Sequence, residues 1–160
     1  MNQLIYIETS IPSFYFETRP GAQMQARREW TREWWEIFSI THTLVTSPAV
    51  MAELARTPEP KRSDCLGLME SLPILEMTEE ADELVRLYIE HKIMPDDTEG
   101  DAMHLALATL HECDILVSWN CRHIANANAN KSDHIRRING RLGHKTPGLV
   151  TPLELLEQLL

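Results

Sequence analysis

Leu4-Ile5-Tyr6-Ile7 decides the fold, because it is a short apolar run without alternation that stops abruptly at Glu8. Such a run, bounded by polar residues, is typical of a strand buried on both faces of a sheet. The residues after Glu8 are predicted to form a loop. Ile115-Leu116-Val117 has the same character, within a predicted strand over 115–118. Three further short segments are candidate strands: residues 43–46, 74–77 and 149–150.

Helical patterns separate these strands along the chain. Apolar residues recur at helical spacing over 22–40, and Pro48 follows Ser47 where a helix tolerates proline, at its first position. Further helices are predicted over about 61–71, after Thr78, over 101–111 and over 152–159. Strands alternating with helices predict a parallel sheet with helices on both faces. We therefore predict one α/β sandwich domain over residues 1–160.

The composition is that of a globular protein and excludes several classes. Of the 160 residues, 43% are hydrophobic and 24% are charged, which excludes disorder and low-complexity architectures. The three cysteines form no CxxC pair, which argues against a disulfide framework or a zinc finger. No stretch approaches the ~20 apolar residues of a membrane span, and no signal peptide opens the sequence. We therefore predict a soluble cytoplasmic protein with no membrane partner.

Charge is distributed unevenly around the formal net charge of −9. Residues 76–101 contain ten acidic and two basic residues, whereas residues 121–145 contain six basic residues and one acidic residue. The two runs are either solvated helix faces or an acidic, cation-binding region beside a basic, phosphate-facing one. The acidic total disfavours non-specific coating of DNA but leaves a local groove for nucleic acid open.

Polar residues with metal-binding chemistry fall where the predicted strands end. Glu8 directly follows the first strand, Glu53 lies about one turn into the helix after the second, and Asn120 follows the 115–118 strand. The carboxyl ends of parallel strands share one edge of a sheet, so these residues can meet there. Asp101 would lie with them if the long connection before its helix returns the chain to the same edge of the sheet. Each residue taken singly is typical of a surface, capping or turn position, and only the joint pattern indicates a site.

Four sequence blocks carry a family resemblance. They are Ile5-Tyr6-Ile7-Glu8-Thr9-Ser10, Ser47-Pro48-Ala49-Val50-Met51-Ala52-Glu53-Leu54, Asp101-Ala102-Met103-His104-Leu105-Ala106 and Ser118-Trp119-Asn120-Cys121-Arg122-His123-Ile124. In order and spacing they resemble PIN-domain proteins, most closely the VapC-type ribonuclease toxins of prokaryotic toxin–antitoxin modules. The resemblance implies a three-layer α/β/α sandwich around a four- or five-stranded, mainly parallel sheet. It also implies a Mg²⁺- or Mn²⁺-dependent endoribonuclease with an RNA substrate, an antitoxin partner and a tendency to form a homodimer.

The matching positions suggest a ligand set. Mg²⁺ prefers oxygen ligands and keeps several waters, so one or two carboxylates suffice to hold it. We expect Glu8 and Asp101 to bind the ion directly and Glu53 to hold metal-bound water. Asn120 would orient water or phosphate. The sequence departs from the family pattern in having Glu8 where Asp is usual, Asn120 where Asp is frequent but Asn is also tolerated, and His123 where a further acid is common.

Three nearby side chains are candidates for contacting the RNA. Thr9 and Ser10 would donate hydrogen bonds to a phosphate oxygen, or else cap a following helix. Arg122 suits bidentate contact with phosphate. His104 lies one turn after Asp101 on the same helix face, where it is either a partner of the site or a packed histidine.

The tryptophans of the 22–40 helix offer a base-stacking alternative to a packing role. Trp30, Trp34 and Phe38 recur at helical spacing, which predicts a core or dimer face rather than a stacking surface. Trp35 lies off that stripe and is more open.

Other functions compete with the ribonuclease. Glu8 and Asn120 favour a catalytically weak or inactive PIN-like module that binds RNA or protein. A Rossmann-like nucleotide enzyme is disfavoured, because neither GxGxxG nor GxxxxGK[ST] occurs. The DxDx[TV] motif that haloacid-dehalogenase-like phosphatases need after the first strand is also absent.

Overall fold

The predicted strands assemble into a parallel sheet with the first of them inside it. A computed structural model describes residues 2–91, 99–120 and 129–160. Its strands are β1 (Leu4–Ile7), β2 (Thr43–Val45), β3 (Ile115–Val117) and β4 (Gly148–Val150). They pair in the order β2-β1-β3-β4, and every pair is parallel. Ile5 of β1 lies opposite Leu44 on one side and Ile115 on the other.

Helices flank this sheet and pack on one another. They are α1 (Ser10–Tyr15), α2 (Ala22–Thr41), α3 (Pro48–Ala55), α4 (Lys61–Met69), α5 (Glu79–Glu90), α6 (Glu99–Leu110), α7 (Ala129–Arg141) and α8 (Pro152–Glu157). α2 packs against α1, α8 and β2, whereas α6 packs against α3, α5 and β3. The predicted α/β class, with helices around a parallel sheet, is confirmed. None of the helices described for this chain is both long and apolar enough to cross a membrane.

The core is built from the strands and from one face of α2. Ile5, Tyr6 and Ile7 are fully buried, as the lack of alternation in this run predicts. Trp34 is also fully buried and stacks on Phe38, with 5.3 Å between the ring centroids. These two aromatic residues therefore belong to the core, in keeping with their helical spacing.

Three helices begin where the sequence supplies a capping hydroxyl. Ser47, Thr78 and Thr151 each accept the backbone N–H three residues ahead, at 3.1–3.3 Å. Satisfying an otherwise unpaired amide of the first turn stabilises a helix by about 1 kcal/mol. The starts of α3, α5 and α8 are therefore encoded locally, and they lie where the sequence predicts them.

The predicted strand over 74–77 was wrong beyond its first residue. Ile74 forms an isolated parallel bridge with Thr46 at the edge of β2. The chain turns into α3 at Pro48, so residues 75–77 have no strand to pair with. The sheet consequently has four strands and one additional bridge in the described part of the chain.

Two helices lie outside the predicted elements, although the sequence leaves open a helix after Thr9 and Ser10 as an alternative. Thr9 is indeed the N-cap residue of α1, without a side-chain cap hydrogen bond. α1 replaces the expected loop. The Glu8 carboxylate just before it accepts the Ser10 N–H at 3.0 Å, and that carboxylate is in turn held by the Ser118 hydroxyl at the end of β3. α7 lies in the basic stretch and buries the apolar side chains of Ile135 and Ile138. Two apolar residues on one face are too few to produce a clear helical period in the sequence.

The ion pair between Glu17 and Arg19 predicts a loss of stability in acid. Glu17 is buried, and Arg19 donates from Nε and Nη2 to its two carboxylate oxygens at 2.8 and 2.7 Å. Hydrogen bonding from Arg19 lowers the pKa of Glu17 from about 4.5 to about 2. Because the folded-state pKa is depressed, the stabilisation is present above pH 4.5 and is lost as the pH falls toward 2.

We therefore expect Glu17→Gln to flatten the decline in unfolding free energy between these two pH values. Urea denaturation of both proteins across this range measures the difference. Other acidic residues are common to both proteins, so they cancel. An equally steep decline in the variant would contradict the assignment to Glu17.

Candidate functional site

The candidate site lies at the carboxyl edge of the sheet. All four strands point the same way, so the segments that follow them share this edge. Glu8 follows β1, the segment from Ser118 to Asn120 follows β3, and α3 with Glu53 follows β2. Two hydrogen-bond networks occupy the edge, one around each glutamate.

Glu8 is held through one of its two carboxylate oxygens. The residue is only 3% exposed, and its Oε2 accepts the Ser10 N–H at 3.0 Å, the Ser10 hydroxyl at 2.5 Å and the Ser118 hydroxyl at 2.6 Å. These three donors offset the cost of burying the carboxylate and fix its orientation. Within the described residues, Oε1 has no hydrogen bond, so it is the oxygen left for a further ligand.

The same two serines hold the turn after β3. Ser10 Oγ accepts the Trp119 N–H at 2.9 Å, and Ser118 Oγ accepts the Asn120 N–H at 2.8 Å. Each serine hydroxyl thus donates a hydrogen bond to Glu8 and accepts one from a backbone N–H. Ser10 is placed to hold Glu8, and its predicted contact with substrate stays a prediction.

Glu53 lies against the N-terminal turn of α6. A Cβ atom added at Gly100 would lie 3.2 Å from Glu53 Oε1, so glycine is what allows this close approach. Asp101, the next residue, is half-buried at the start of the same helix. The side chain of Glu53 is 32% exposed, which leaves part of its carboxylate open to solvent.

A buried relay connects Glu53 to the core. His104 Nε2 donates to Glu53 Oε1 at 2.6 Å, and His104 Nδ1 lies 2.7 Å from the Tyr6 hydroxyl, which in turn lies 2.6 Å from Ser47 Oγ. With Nε2–H given to Glu53, Nδ1 accepts from Tyr6, Tyr6 accepts from Ser47, and Ser47 accepts the Val50 N–H. This assignment gives every hydrogen in the relay an acceptor. Burial raises the pKa of Tyr6, so its hydroxyl stays protonated.

The environment of Glu53 favours the charged carboxylate. Burial raises the pKa of Glu53, but the hydrogen bond from His104 and the other nearby donors and positive charge together outweigh it, so the pKa lies below the usual range. The nearby Thr9 hydroxyl and Arg56 also lower it. Thr9 Oγ1 is buried and has no hydrogen bond of ordinary geometry in the described part of the chain. The Thr9 hydroxyl is thus close enough to Glu53 to lower its pKa without forming a well-aligned hydrogen bond, and it can turn to donate to a ligand instead.

The donor set suits a hard divalent cation but forms no closed cage. In residues 2–91, 99–120 and 129–160, no three His, Cys, Asp or Glu side chains come together in a group that could hold a metal ion. The oxygens of Glu8 and Glu53 lie in separate networks at one edge. Mg²⁺ is commonly held by one or two carboxylates with water completing its octahedron, so these oxygen donors fit it. The ligand set of Glu8, Asp101 and Glu53 stays a prediction.

The remaining predicted site residues are less constrained. Asn120 is exposed at the site edge and is positioned through its backbone N–H. Arg122 lies outside the described residues. Trp30 is half-buried rather than part of the core, and stacks on Trp119 with 6.3 Å between ring centroids and 28° between planes. Trp35 is half-buried against Tyr15.

Sequence reasoning missed Ser118, Tyr6 and Ser47 as parts of the site. Ser118 had a usable signal, because it is a small polar residue directly after an apolar strand. Ser47 reads from sequence as a helix cap, and it is one. Tyr6 carried no signal, because a tyrosine inside an apolar run looks like any other core residue.

Comparisons with known proteins bear on the fold and the family. A solved structure of VapBC2 from Rickettsia felis bound to a DNA fragment from their promoter is similar, with a TM-score of 0.58 and 15% identity over 92% of this chain and 98% of that chain. FitAcB from Neisseria gonorrhoeae is also similar, with a TM-score of 0.54 and 14% identity over 93% of this chain and 98% of that chain. No curated protein matches the sequence. The family model of the PIN domain matches residues 5–127, and the chain therefore belongs to the PIN domain family.

Proposed function

We propose that this PIN domain is a divalent-metal-dependent endoribonuclease that hydrolyses phosphodiester bonds in RNA. The observation that carries the proposal is the pair of glutamates at the carboxyl edge. Glu8 is fixed through Oε2 with Oε1 left over, and Glu53 is fixed by His104 with its carboxylate partly exposed. Two oriented carboxylates on one edge suffice for a hydrated Mg²⁺ or Mn²⁺ ion whose octahedron is completed by water.

In this proposal each residue has a defined task. Glu8 through Oε1, together with Asp101, would hold the cation, and Glu53 would hold its coordinated water. When bound, a divalent cation lowers the pKa of a coordinated water and neutralises charge on the attacked phosphate. The orphaned Thr9 hydroxyl would donate to a phosphate oxygen.

Further parts of the substrate contact rest on the sequence. Asn120 would orient water or phosphate from the exposed edge, and Ser10 and Arg122 are the other predicted contacts. Similarity to VapBC2, whose structure includes promoter DNA, supports a role as the toxin of a toxin–antitoxin pair. An antitoxin protein, a homodimer and a cytoplasmic location follow from that role as expectations.

A catalytically inactive RNA- or protein-binding module is the alternative. It is favoured by one observation, namely that no three candidate ligands group together among the described residues. The two functions differ in whether RNA is cut, and both predict binding.

Chelation of the metal tests the proposal directly. We expect purified protein to cleave a mixed RNA substrate in Mn²⁺, to stop on addition of EDTA, and to resume when Mn²⁺ is restored. Asp101→Asn should cleave at least about 100-fold more slowly, because several kcal/mol of charge stabilisation is lost with the ligand.

The Asp101→Asn protein, purified in the same way, is the control for contaminating nucleases. RNA decay at the same rate in both proteins, or decay that persists in EDTA, would contradict the proposal. RNA binding without decay would favour the binding module.

A further inference from the structure

An arginine held by aromatic rings borders the Glu8 network. The Arg27 guanidinium carbon lies 5.5 Å from the ring centroid of Phe14 and 5.3 Å from that of Trp119. Trp119 also stacks on Trp30. We refer to Phe14, Arg27, Trp30 and Trp119 as the Arg27 cluster.

The Arg27 cluster is joined to the candidate site by direct hydrogen bonds. Trp119 donates its backbone N–H to Ser10 Oγ, and the Ser10 hydroxyl donates to Glu8. The indole of Trp119 is itself fixed, because its Nε1 donates to the buried Thr31 Oγ1 at 2.8 Å. The Glu8 network and the Arg27 cluster are therefore neighbouring parts of one hydrogen-bonded unit.

Helix α2 presents its share of the cluster on one face. Arg27, Trp30 and Thr31 are spaced three and four residues apart, which places them side by side on a helix. Trp34 continues the same face one turn later but is fully buried. Burial on this face therefore decreases toward the N-terminus of α2, and Arg27 and Trp30 are only half-buried.

The charge of Arg27 is oriented without being neutralised. Arg19 and Arg62 are ion-paired with glutamates, and Arg32 donates to the Tyr15 carbonyl. The Arg27 guanidinium has neither a carboxylate nor a hydrogen-bond acceptor among residues 2–91, 99–120 and 129–160. A guanidinium stacked on rings keeps its in-plane N–H donors for a bidentate acceptor such as phosphate.

We propose that the Arg27 cluster docks single-stranded RNA beside the cleavage site, with a phosphate on Arg27 and a base on Trp30. The inference rests on the proposed ribonuclease function for the identity of the strand. A planar cation next to an accessible aromatic ring is the combination that single-strand binders use, because the cation binds the backbone and the ring stacks a base of any sequence. Trp30 has Trp119 as its only ring neighbour in the described structure and is half-buried, so part of its ring is exposed to stack a base.

Binding without cleavage isolates this site. The probe is a fluorescently labelled single-stranded oligouridylate, titrated in EDTA so that metal-dependent cleavage cannot occur. We expect Arg27→Gln to weaken binding about 10-fold and to reduce the salt slope of log K by about 0.7, the value for one lost phosphate contact on a single strand. Trp30→Leu should also weaken binding about 10-fold, through the lost stacking.

Arg28→Gln is the matched control. Arg28 is the next residue of α2, is exposed, and loses the same charge on substitution, but it lies over no aromatic ring of the described residues. We expect its affinity to stay within about twofold of the unsubstituted protein. Thermal unfolding verifies that each variant is folded, and Arg27→Lys, which keeps the charge but not the planar fork, should lose affinity even where Arg27→Gln fails to fold.

Several outcomes would overturn the inference. Equal losses in Arg27→Gln and Arg28→Gln would mean that general charge binds the strand, and unchanged affinity in Arg27→Gln and Trp30→Leu would exclude the cluster. An acidic peptide is titrated as a second probe. If Arg27→Gln lost affinity for this peptide but not for the oligouridylate, the cluster would bind a protein partner instead. Failure of the ribonuclease proposal is distinguishable, because the protein would then bind in EDTA through Arg27 yet leave RNA intact in Mn²⁺.

Discussion

Glu8→Gln is expected to reduce RNA cleavage by at least about 100-fold while leaving the fold intact. The amide oxygen can still accept the three hydrogen bonds that converge on Oε2, so the network with Ser10 and Ser118 survives. The negative charge offered by Oε1 is lost, and with it several kcal/mol of interaction with a divalent ion. Cleavage rates in Mn²⁺, together with the Mn²⁺ dissociation constant from calorimetry, measure both consequences.

Two further variants make this result specific. Glu29→Gln removes an acid of the same kind from the exposed face of α2 and should leave both quantities unchanged. Glu8→Asp should bind Mn²⁺ more weakly than the unsubstituted protein, because the shorter side chain cannot reach both serines and still present its second oxygen. A Glu8→Gln protein that cleaves RNA at the normal rate would remove Glu8 from the site.

Replacing His104 should weaken Mn²⁺ binding by about 10–100-fold, although His104 is not itself expected to touch the ion. Partners that orient a metal-binding carboxylate typically contribute this much to affinity or activity. His104→Leu removes the 2.6 Å hydrogen bond to Glu53, and the carboxylate is then free to rotate. His104→Gln retains a donor near the position of Nε2 and should recover part of the loss.

Tyr6→Phe tests the same relay from its buried end. The substitution keeps the ring but removes the hydroxyl that fixes His104 Nδ1. We expect a smaller loss of Mn²⁺ affinity than in His104→Leu, together with lower stability, because buried polar groups are left unsatisfied. His134→Gln, an exposed histidine of α7, is the control. If His104→Leu is folded and binds Mn²⁺ within twofold of the unsubstituted protein, the relay has no role in metal binding.

The parts of the fold that follow from local rules could be predicted from the sequence. The apolar run of β1 and the capping hydroxyls of Ser47, Thr78 and Thr151 are each decided within a few residues. α1 and the bridge at Ile74 could not, because each depends on what another segment supplies. The Glu8 carboxylate that accepts the Ser10 N–H is itself held by Ser118 at the end of β3, and Ile74 needs Thr46, directly after β2, as its partner.

The candidate site divides in the same way. A parallel sheet is enough to predict that Glu8 and Glu53 lie at one edge. The spacing of residues in the sequence does not predict how their carboxylates are oriented there. Which oxygen of Glu8 is open depends on hydroxyls from α1 and from the end of β3. The orientation of Glu53 depends on a histidine from α6 and a tyrosine from β1. Such contacts join distant segments through particular rotamers, and no local pattern encodes them.

Ser10 and Ser118 restrict which substitutions this edge of the sheet can tolerate. Ser10 and Ser118 each serve an acid and a backbone amide at once, so losing either hydroxyl disturbs both Glu8 and the turn that carries Trp119 and Asn120. The side chain at position 8 must therefore be long enough to bring one oxygen to both serine hydroxyls, as that of glutamate is. Shortening it alone to aspartate would leave at least one hydroxyl without its acceptor, so the choice of residue at position 8 is coupled to the residues at positions 10 and 118.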